Sequence, residues 1–361
     1  MFKPKPVVFL LAAIVGGCPY RASGQRVVAD GISCASCRIQ LDTVSVLARS
    51  GDSIGFTYRS HVGIDSKSRF IVAPTFVPGQ TAVFDSQGRF QGALGRAGPG
   101  PDEISGDIDF VLIGRGDTIH VISRARTSLI APTFERIHEG HTLPGHPQAA
   151  VVLPNGEMLM QFPVYVAGVG SRLIHRISQA GEMLASIEEP LATENPLWAR
   201  VRTIALADGG RALWSAPVNT FRIKKLALDG DLLDVIVRAA PWFPDWDTYE
   251  RGEPWQRRPR PRVSDLLEAG GVLWAFISVA DAQWIPREAA GDNRRTSSPR
   301  NPSDAYDTVI EAIDIQRGTV LARQRFVTVV RPTGNGPTVY SYAEQPDGEL
   351  DLILFRLRLI R

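Results

Sequence analysis

Cys34-Ala-Ser-Cys37 carries the best-defined chemistry in this chain of 361 residues, which holds only one other cysteine, Cys18. A pair at this spacing could bind metal, attach haem or cycle redox state. A haem attachment needs His after the second Cys, and position 38 is Arg. A structural zinc site wants a second ligand pair, which the cysteine count does not provide. A thioredoxin-like role needs a βαβ setting, and the surrounding sequence has none. A small local disulfide is the expectation that remains. Three histidines, His138, His141 and His146, fall in one connection with Glu135 and Glu139 nearby. Imidazole is the commonest metal ligand, but no helix aligns these three, so a solvated loop is expected. The Gly95–Glu103 stretch could cradle an anion on its backbone N–H groups. Pro99 and Pro101 remove two donors from it, which favours a simple link between strands. Gly-x-Ser-x-Gly, His-Glu-x-x-His and Walker motifs are absent. No residue is therefore assigned a catalytic role.

Trp242, Phe243, Trp246, Tyr249 and Trp255 crowd the segment from Ala239 to Arg262, among prolines and arginines. Either this segment folds back and hides its rings, or Trp242, Trp246 and Trp255 form a rim for a sugar or protein partner, since such residues dominate interface hot spots. A second insertion, Ile285 to Asp304, is rich in Pro, Ser, Arg and Asn and has little to bury.

The N-terminus reads as an export signal. Lys3 and Lys5 precede an unbroken apolar run of nine residues, Val7 to Val15. A bilayer crossing needs about 20, so this run has the length of a signal core. Ala22-Ser23-Gly24 suits ordinary cleavage, which makes 1–24 the signal and 25–361 the mature domain. Val15-Gly16-Gly17-Cys18 suits lipoprotein processing instead, with 1–17 removed and Cys18 lipidated; a lipid is then the only membrane contact expected. Cleavage after Gly24 leaves 37 basic against 38 acidic residues. That balance lacks the basic excess of a nucleic-acid binder.

These residues must be positioned by strands. Helical periodicity is almost missing, and runs of four to seven β-prone residues alternate with Gly, Asp, Asn and Pro. The punctuation recurs at Asp65-Ser66-Lys67-Ser68, Gly114-Arg115-Gly116-Asp117, Pro154-Asn155-Gly156, Asp208-Gly209-Gly210, Ala269-Gly270-Gly271 and Pro346-Asp347-Gly348. A second turn follows in several units, at Asp85-Ser86-Gln87-Gly88, Ser178-Gln179-Ala180-Gly181 and Asp229-Gly230, with Asp314 to Gly318 as its counterpart in the fifth. Two tight turns per unit mean four strands per unit, the rhythm of propeller blades. The fold class expected is all-β: a six-bladed β-propeller with blades at 62–95, 108–140, 149–187, 201–238, 263–326 and 338–361. The last is short by one strand, and residues 39–47 are expected to supply it from the N-terminal side.

Val83-Phe-Asp-Ser-Gln-Gly-Arg-Phe-Gln-Gly-Ala-Leu-Gly95, followed by Arg96-Ala-Gly-Pro-Gly-Pro-Asp-Glu-Ile104, resembles NHL-type repeats. It is similar to the link between blades in bacterial exported six-bladed propellers of the NHL-repeat and TolB-like kind. Asp102 and Ile104 depart from that pattern. The match covers roughly residues 34 to 125, and the resemblance implies the fold and an exported setting but no single reaction.

In such a fold the innermost strands line a central channel, and the residues leading into them converge at one mouth. These are His61, Asp107, Gln148, Arg202, Asp265 and Tyr340, the expected ligand-binding residues. The expected function is a monomeric exported propeller that binds a small molecule, glycan or envelope protein without catalysis. The alternative resembles the lactonase and amidating-lyase propellers, a hydrolase or lyase with calcium or another divalent metal in the channel. An envelope scaffold with Trp242, Trp246 and Trp255 exposed is a third reading.

Overall fold

A computed structural model describes residues 25–48, 55–74, 81–95, 98, 103–104, 106–123, 126–166, 170–187, 201–246, 258–285, 303, 305–334 and 336–361. The signal segment and Cys18 lie outside them. Two strands come first, β1 (Gln25–Val28) and β2 (Arg38–Leu47). Blade one is β3 (His61–Ile64), β4 (Phe70–Ala73), β5 (Thr81–Phe84) and β6 (Phe90–Leu94). Blade two is β7 (Ile108–Ile113), β8 (Ile119–Ser123), β9 (Arg126–Ile130) and β10 (Arg136–Thr142). Blade three is β11 (Ala149–Val152), β12 (Met158–Val166), β13 (Gly170–Ile177) and β14 (Met183–Ser186). Blade four is β15 (Arg202–Ala207), β16 (Ala212–Pro217), β17 (Arg222–Ala227) and β18 (Leu232–Arg238). Blade five is β19 (Arg262–Ala269), β20 (Val272–Ala280), β21 (Tyr306–Asp314) and β22 (Thr319–Phe326). Blade six contributes β23 (Arg331–Pro332), β24 (Thr338–Glu344) and β25 (Leu350–Ile360). Among the described residues, helix is limited to 3-10 turns, at Arg115–Asp117 and at Ser303, and no helix is long and apolar enough to cross a membrane.

The repeated turns have a local cause. Asp65 and Asp85 each accept backbone N–H bonds from the residues two and four positions on, at 2.8–3.0 Å. A side chain that closes its own turn makes the hairpin cheap to form. Gly88 then takes φ +80°, where a Cβ would meet Val46 O and Ser45 Oγ of β2. The turn of blade one thus sits against the closing strand of blade six. Between the turns, strands such as Val272–Ala280 are buried along their whole length, because each sheet packs on both faces.

Six core clusters hold the ring, one between each neighbouring pair of blades. The last joins Leu47, Tyr340 and Leu352 of blade six to Val62, Phe70 and Phe84 of blade one, so the circle is closed by apolar contact. β2 pairs antiparallel with β25 from Arg38↔Ile360 to Leu47↔Leu352. The expected closing strand is thus in place.

Two features correct the sequence reading. Blade six does not begin at 338: its innermost strand is Arg331–Pro332, which pairs Arg331 with Tyr340. That strand is only two residues long and carries a proline, so it leaves almost no periodic signal. The other is β1, a fifth strand lying parallel on the outer edge of β18. From there the N-terminal segment crosses blade five, where Ile32 bridges Val320, and reaches blade six. Asp30 anchors this crossing by hydrogen bonds from Arg238, Arg323 and the Trp242 indole. Beneath it, Glu311 receives Arg238 through both oxygens at 2.7 and 2.8 Å and Arg323 at 2.7 Å.

Cys34 and Cys37 form a disulfide just before β2. In the chain-entropy picture so short a loop is worth about 2 kcal/mol. Reduction of the mature protein should release two thiols and lower its melting temperature without unfolding it at room temperature; thiols titrating before reduction would contradict the bridge.

Two core histidines should make the protein acid-labile. Burial holds His120 at about 4 and lowers His175 as well, although carbonyls of Phe162 and Arg172 work against the shift on His175. His120 Nδ1 is buried without a partner. A base whose folded pKa is depressed takes up a proton more readily when unfolded. Its contribution is complete above pH 6.5 and is lost as pH falls from there through 4. At about 1.4 kcal/mol per unit, His120 should remove about 3 kcal/mol across that window. Urea denaturation against pH should show this loss, and His120→Leu should flatten the slope by about one proton.

Candidate functional site

The first strand of each blade is innermost, and all six run from the same end of the ring. β3, β7, β11, β15, β19 and β23 therefore open on one mouth. Both long insertions leave from this end. β18 ends beside the start of β17, and the end of β20 pairs with the start of β19 through Arg262↔Ser278.

A register irregularity at Ser264, between Val263↔Ile277 and Asp265↔Phe276, re-aims Asp265. Such bulges commonly turn a side chain toward a site. Ser264 Oγ secures it by donating to Phe276 O at 3.0 Å. Across the mouth, the Tyr340 and Tyr342 hydroxyls both donate to Ser60 O, at 3.1 and 3.0 Å. Ser60 precedes His61, so blade six holds the entrance of blade one. The His61 ring lies 4.7 Å from that of Phe110 in blade two.

Arg331 stands within electrostatic reach of both His61 and Asp265. Protein surrounds these three groups, yet each keeps part of its surface accessible, as channel-lining side chains do. Burial, with help from the Arg331 charge, depresses His61 to about 3, so its imidazole is neutral at any physiological pH. Burial raises Asp265 to about 6, against the pull of Arg331 and Arg262. Burial also works to discharge Arg331, but Tyr340, Tyr342 and Asp265 around it win, and it stays protonated. The two phenols are pushed upward by burial and remain hydroxyls. No hydrogen bond or ion pair within 4.0 Å joins Asp265 or His61 to another side chain among the described residues. The mouth thus presents a guanidinium, a neutral imidazole and a carboxyl poised near neutrality. Such a set can orient a polar ligand from several sides.

The structure brings His61, Asp265 and Tyr340 together. Arg331, absent from the sequence list, is the group they share. Residues 338–361 hold two strands, β24 and β25, one fewer than the sequence reading gave them, and that shortfall was the available signal for a strand upstream of 338. Asp107 sits half-buried just before β7. Its neighbour Asp109, at a second register irregularity, lies 3.3 Å from His146 Nε2. Gln148 is exposed, and its backbone N–H donates to Gln161 O at 2.8 Å. Arg202 opens β15 and is 2% exposed.

His138 and His141 belong to β10 and not to a loop. Pairing of β10 with β9 makes them strand residues, while His146 turns to Asp109. Among the described residues no three His, Cys, Asp or Glu side chains gather to hold a metal, so these residues do not form a calcium or zinc donor set. In the Gly95–Glu103 loop the Glu103 carboxylate folds against Gly98, whose N–H donates to Ile104 O at 3.3 Å. A carboxylate there opposes an anion cradle; the rest of the loop is outside the described residues.

Trp246 is buried and donates to Pro261 O at 2.8 Å, and half-buried Trp242 donates to Asp30 at 3.1 Å. Phe243 packs on Phe221 at 5.1 Å. The described start of the aromatic insertion therefore seals blade four, and these two indoles do not form an exposed rim. Trp255 lies outside the described residues.

Six sheets in a closed ring with a polar mouth define a six-bladed β-propeller. The structure is similar to a Bacteroides fragilis protein inferred to be exported, at TM-score 0.59 and 10% identity, over 93% of this chain and 100% of that one. It is also similar to a member of the DUF4221 family from Bacteroides vulgatus, at TM-score 0.56 and 8% identity, over 89% and 99% of the two chains. Virginiamycin B lyase from Staphylococcus aureus overlays more loosely, at TM-score 0.46 and 13% identity, over 88% and 99%. No family model and no curated relative matches the sequence. At these identities the likeness is one of fold.

Proposed function

We propose that this protein is an exported propeller that binds a small polar molecule at the channel mouth between blades five, six and one, without catalysing a reaction on it. The observation that carries the reading is the enclosure of His61, Asp265 and Arg331 on three consecutive innermost strands, with Asp265 and His61 joined to no other side chain. Polar groups held in that way cost folding energy unless something completes their hydrogen bonds. The inward packing of Trp242 and Trp246 favours a small ligand over a protein partner on that rim. The apolar run near the N-terminus and the Cys34–Cys37 bridge support export to an oxidising compartment. Periplasmic, secreted and lipid-anchored forms through Cys18 are all consistent with it. A metal-dependent hydrolase would need at least three ligands gathered in the channel, and among the described residues no three His, Cys, Asp or Glu side chains gather.

The test is a thermal-shift screen of small polar metabolites on the mature protein. Compounds that raise the melting temperature should bind at least about tenfold more weakly to Arg331→Gln, the loss expected for a charged hydrogen bond. Hits indifferent to Arg331→Gln and to His61→Ala would place the ligand elsewhere.

A further inference from the structure

Three consecutive blades open their innermost strand with an arginine: Arg202 in β15, Arg262 in β19 and Arg331 in β23. The other three blades open with His61, Ile108 and Ala149. Arg202 is buried, while Arg262 and Arg331 are half-buried and stand beside Asp265 on one side of the mouth. Arg262 and Arg331 both act on Asp265, which lies on the strand that Arg262 begins. The Arg262 guanidinium lies over the Tyr306 ring, 4.7 Å from its centroid, and its Nε is buried with no acceptor. Arg331 gives one of its donors to Tyr340, and a guanidinium has five. A planar guanidinium fork held over an aromatic ring suits the two oxygens of a carboxylate. Within the group of Arg262, Arg331 and Asp265, two guanidinium charges exceed one carboxylate by one, which a monoanion balances and a phosphate dianion overshoots. Beside this pair stand groups that bond to hydroxyls: the neutral His61 imidazole and the free oxygen positions of Asp265.

Resting on the channel-mouth reading, we propose that the ligand is a small monocarboxylate bearing hydroxyl groups, of the sugar-acid class. Arg331 and Arg262 clamp its carboxylate, and His61 and Asp265 take its hydroxyls.

Calorimetry on the mature protein at low ionic strength, with D-glucuronate, D-gluconate, D-glucose and D-glucose 6-phosphate as probes, separates the possibilities. Glucuronate or gluconate should bind, glucose should bind at least about tenfold more weakly, and Arg262→Gln and Arg331→Gln should each cost about tenfold or more. Added salt should weaken binding of the acid by the wild type, a measurement that needs no variant to fold. Equal binding of glucose and glucuronate, both dependent on Arg331, would overturn the acid class and leave the mouth as the site. Preference for the phosphate would likewise overturn it. Binding of the acid unaffected by either arginine variant, with circular dichroism showing both folded, would overturn the class and the site together. Failure of both acids to bind would overturn the class, while hits of other chemistry that depend on Arg331 would keep the site.

Discussion

Asp265→Asn should make the protein more stable, by about 2 kcal/mol at pH 8. Burial lifts this carboxyl from 3.8 to about 6 in the folded chain. Each unit corresponds to about 1.4 kcal/mol, and partial access to the channel reduces the full figure. The sign follows from proton uptake. An acid with a raised folded pKa binds its proton more tightly when folded, so ionising it costs stability. That cost is present in full above about pH 6 and fades as pH falls toward 3.8. Asparagine keeps the shape and removes the charge. Chemical denaturation should therefore show the variant ahead of wild type at pH 8 and level with it near pH 4. Equal or lower stability at pH 8 would mean that Arg331 and Arg262 satisfy the carboxylate, and the case for a ligand there would weaken. A carboxyl kept at a cost to stability is the pattern of a binding site.

Glu311→Ala should have the largest destabilising effect, about 3 to 5 kcal/mol, because it leaves a buried charge uncompensated. The Glu311 and Arg238 side chains are both 0% exposed and pair through two bonds. Arg238 also binds Val28 O, Ala29 O and Asp30, so the loss should spread to the N-terminal segment. Urea denaturation should report the drop, and limited proteolysis should cut the variant first between residues 25 and 37. Replacing the pair together, Arg238→Met with Glu311→Leu, should recover much of the stability. A single variant within about 1 kcal/mol of wild type would show that Asp30 and the Val28 and Ala29 carbonyls suffice to hold Arg238.

Much of this architecture was legible in one dimension. Asp65, Asp85 and Gly88 act within a few residues of themselves, so their turns could be read before any packing was known. The 39–47 segment was legible as a closing strand because a ring short of strands leaves an edge to fill. β1 was not, since four residues laid parallel on another sheet carry no period of their own. The aromatic insertion was ambiguous in sequence. Whether an indole lines a rim or seals a blade depends on Asp30 and Pro261, which meet Trp242 and Trp246 only after folding.

The channel mouth divides in the same way. Composition and turn spacing by themselves determined an all-β ring, its six units and the general place where polar side chains would meet, because hydrophobic alternation and turn chemistry are local. Only the tertiary structure decided that Arg331 stands between His61 and Asp265, and which protonation state each holds. Charge and burial depend on neighbours brought in from three different blades, and no spacing along the chain records those distances.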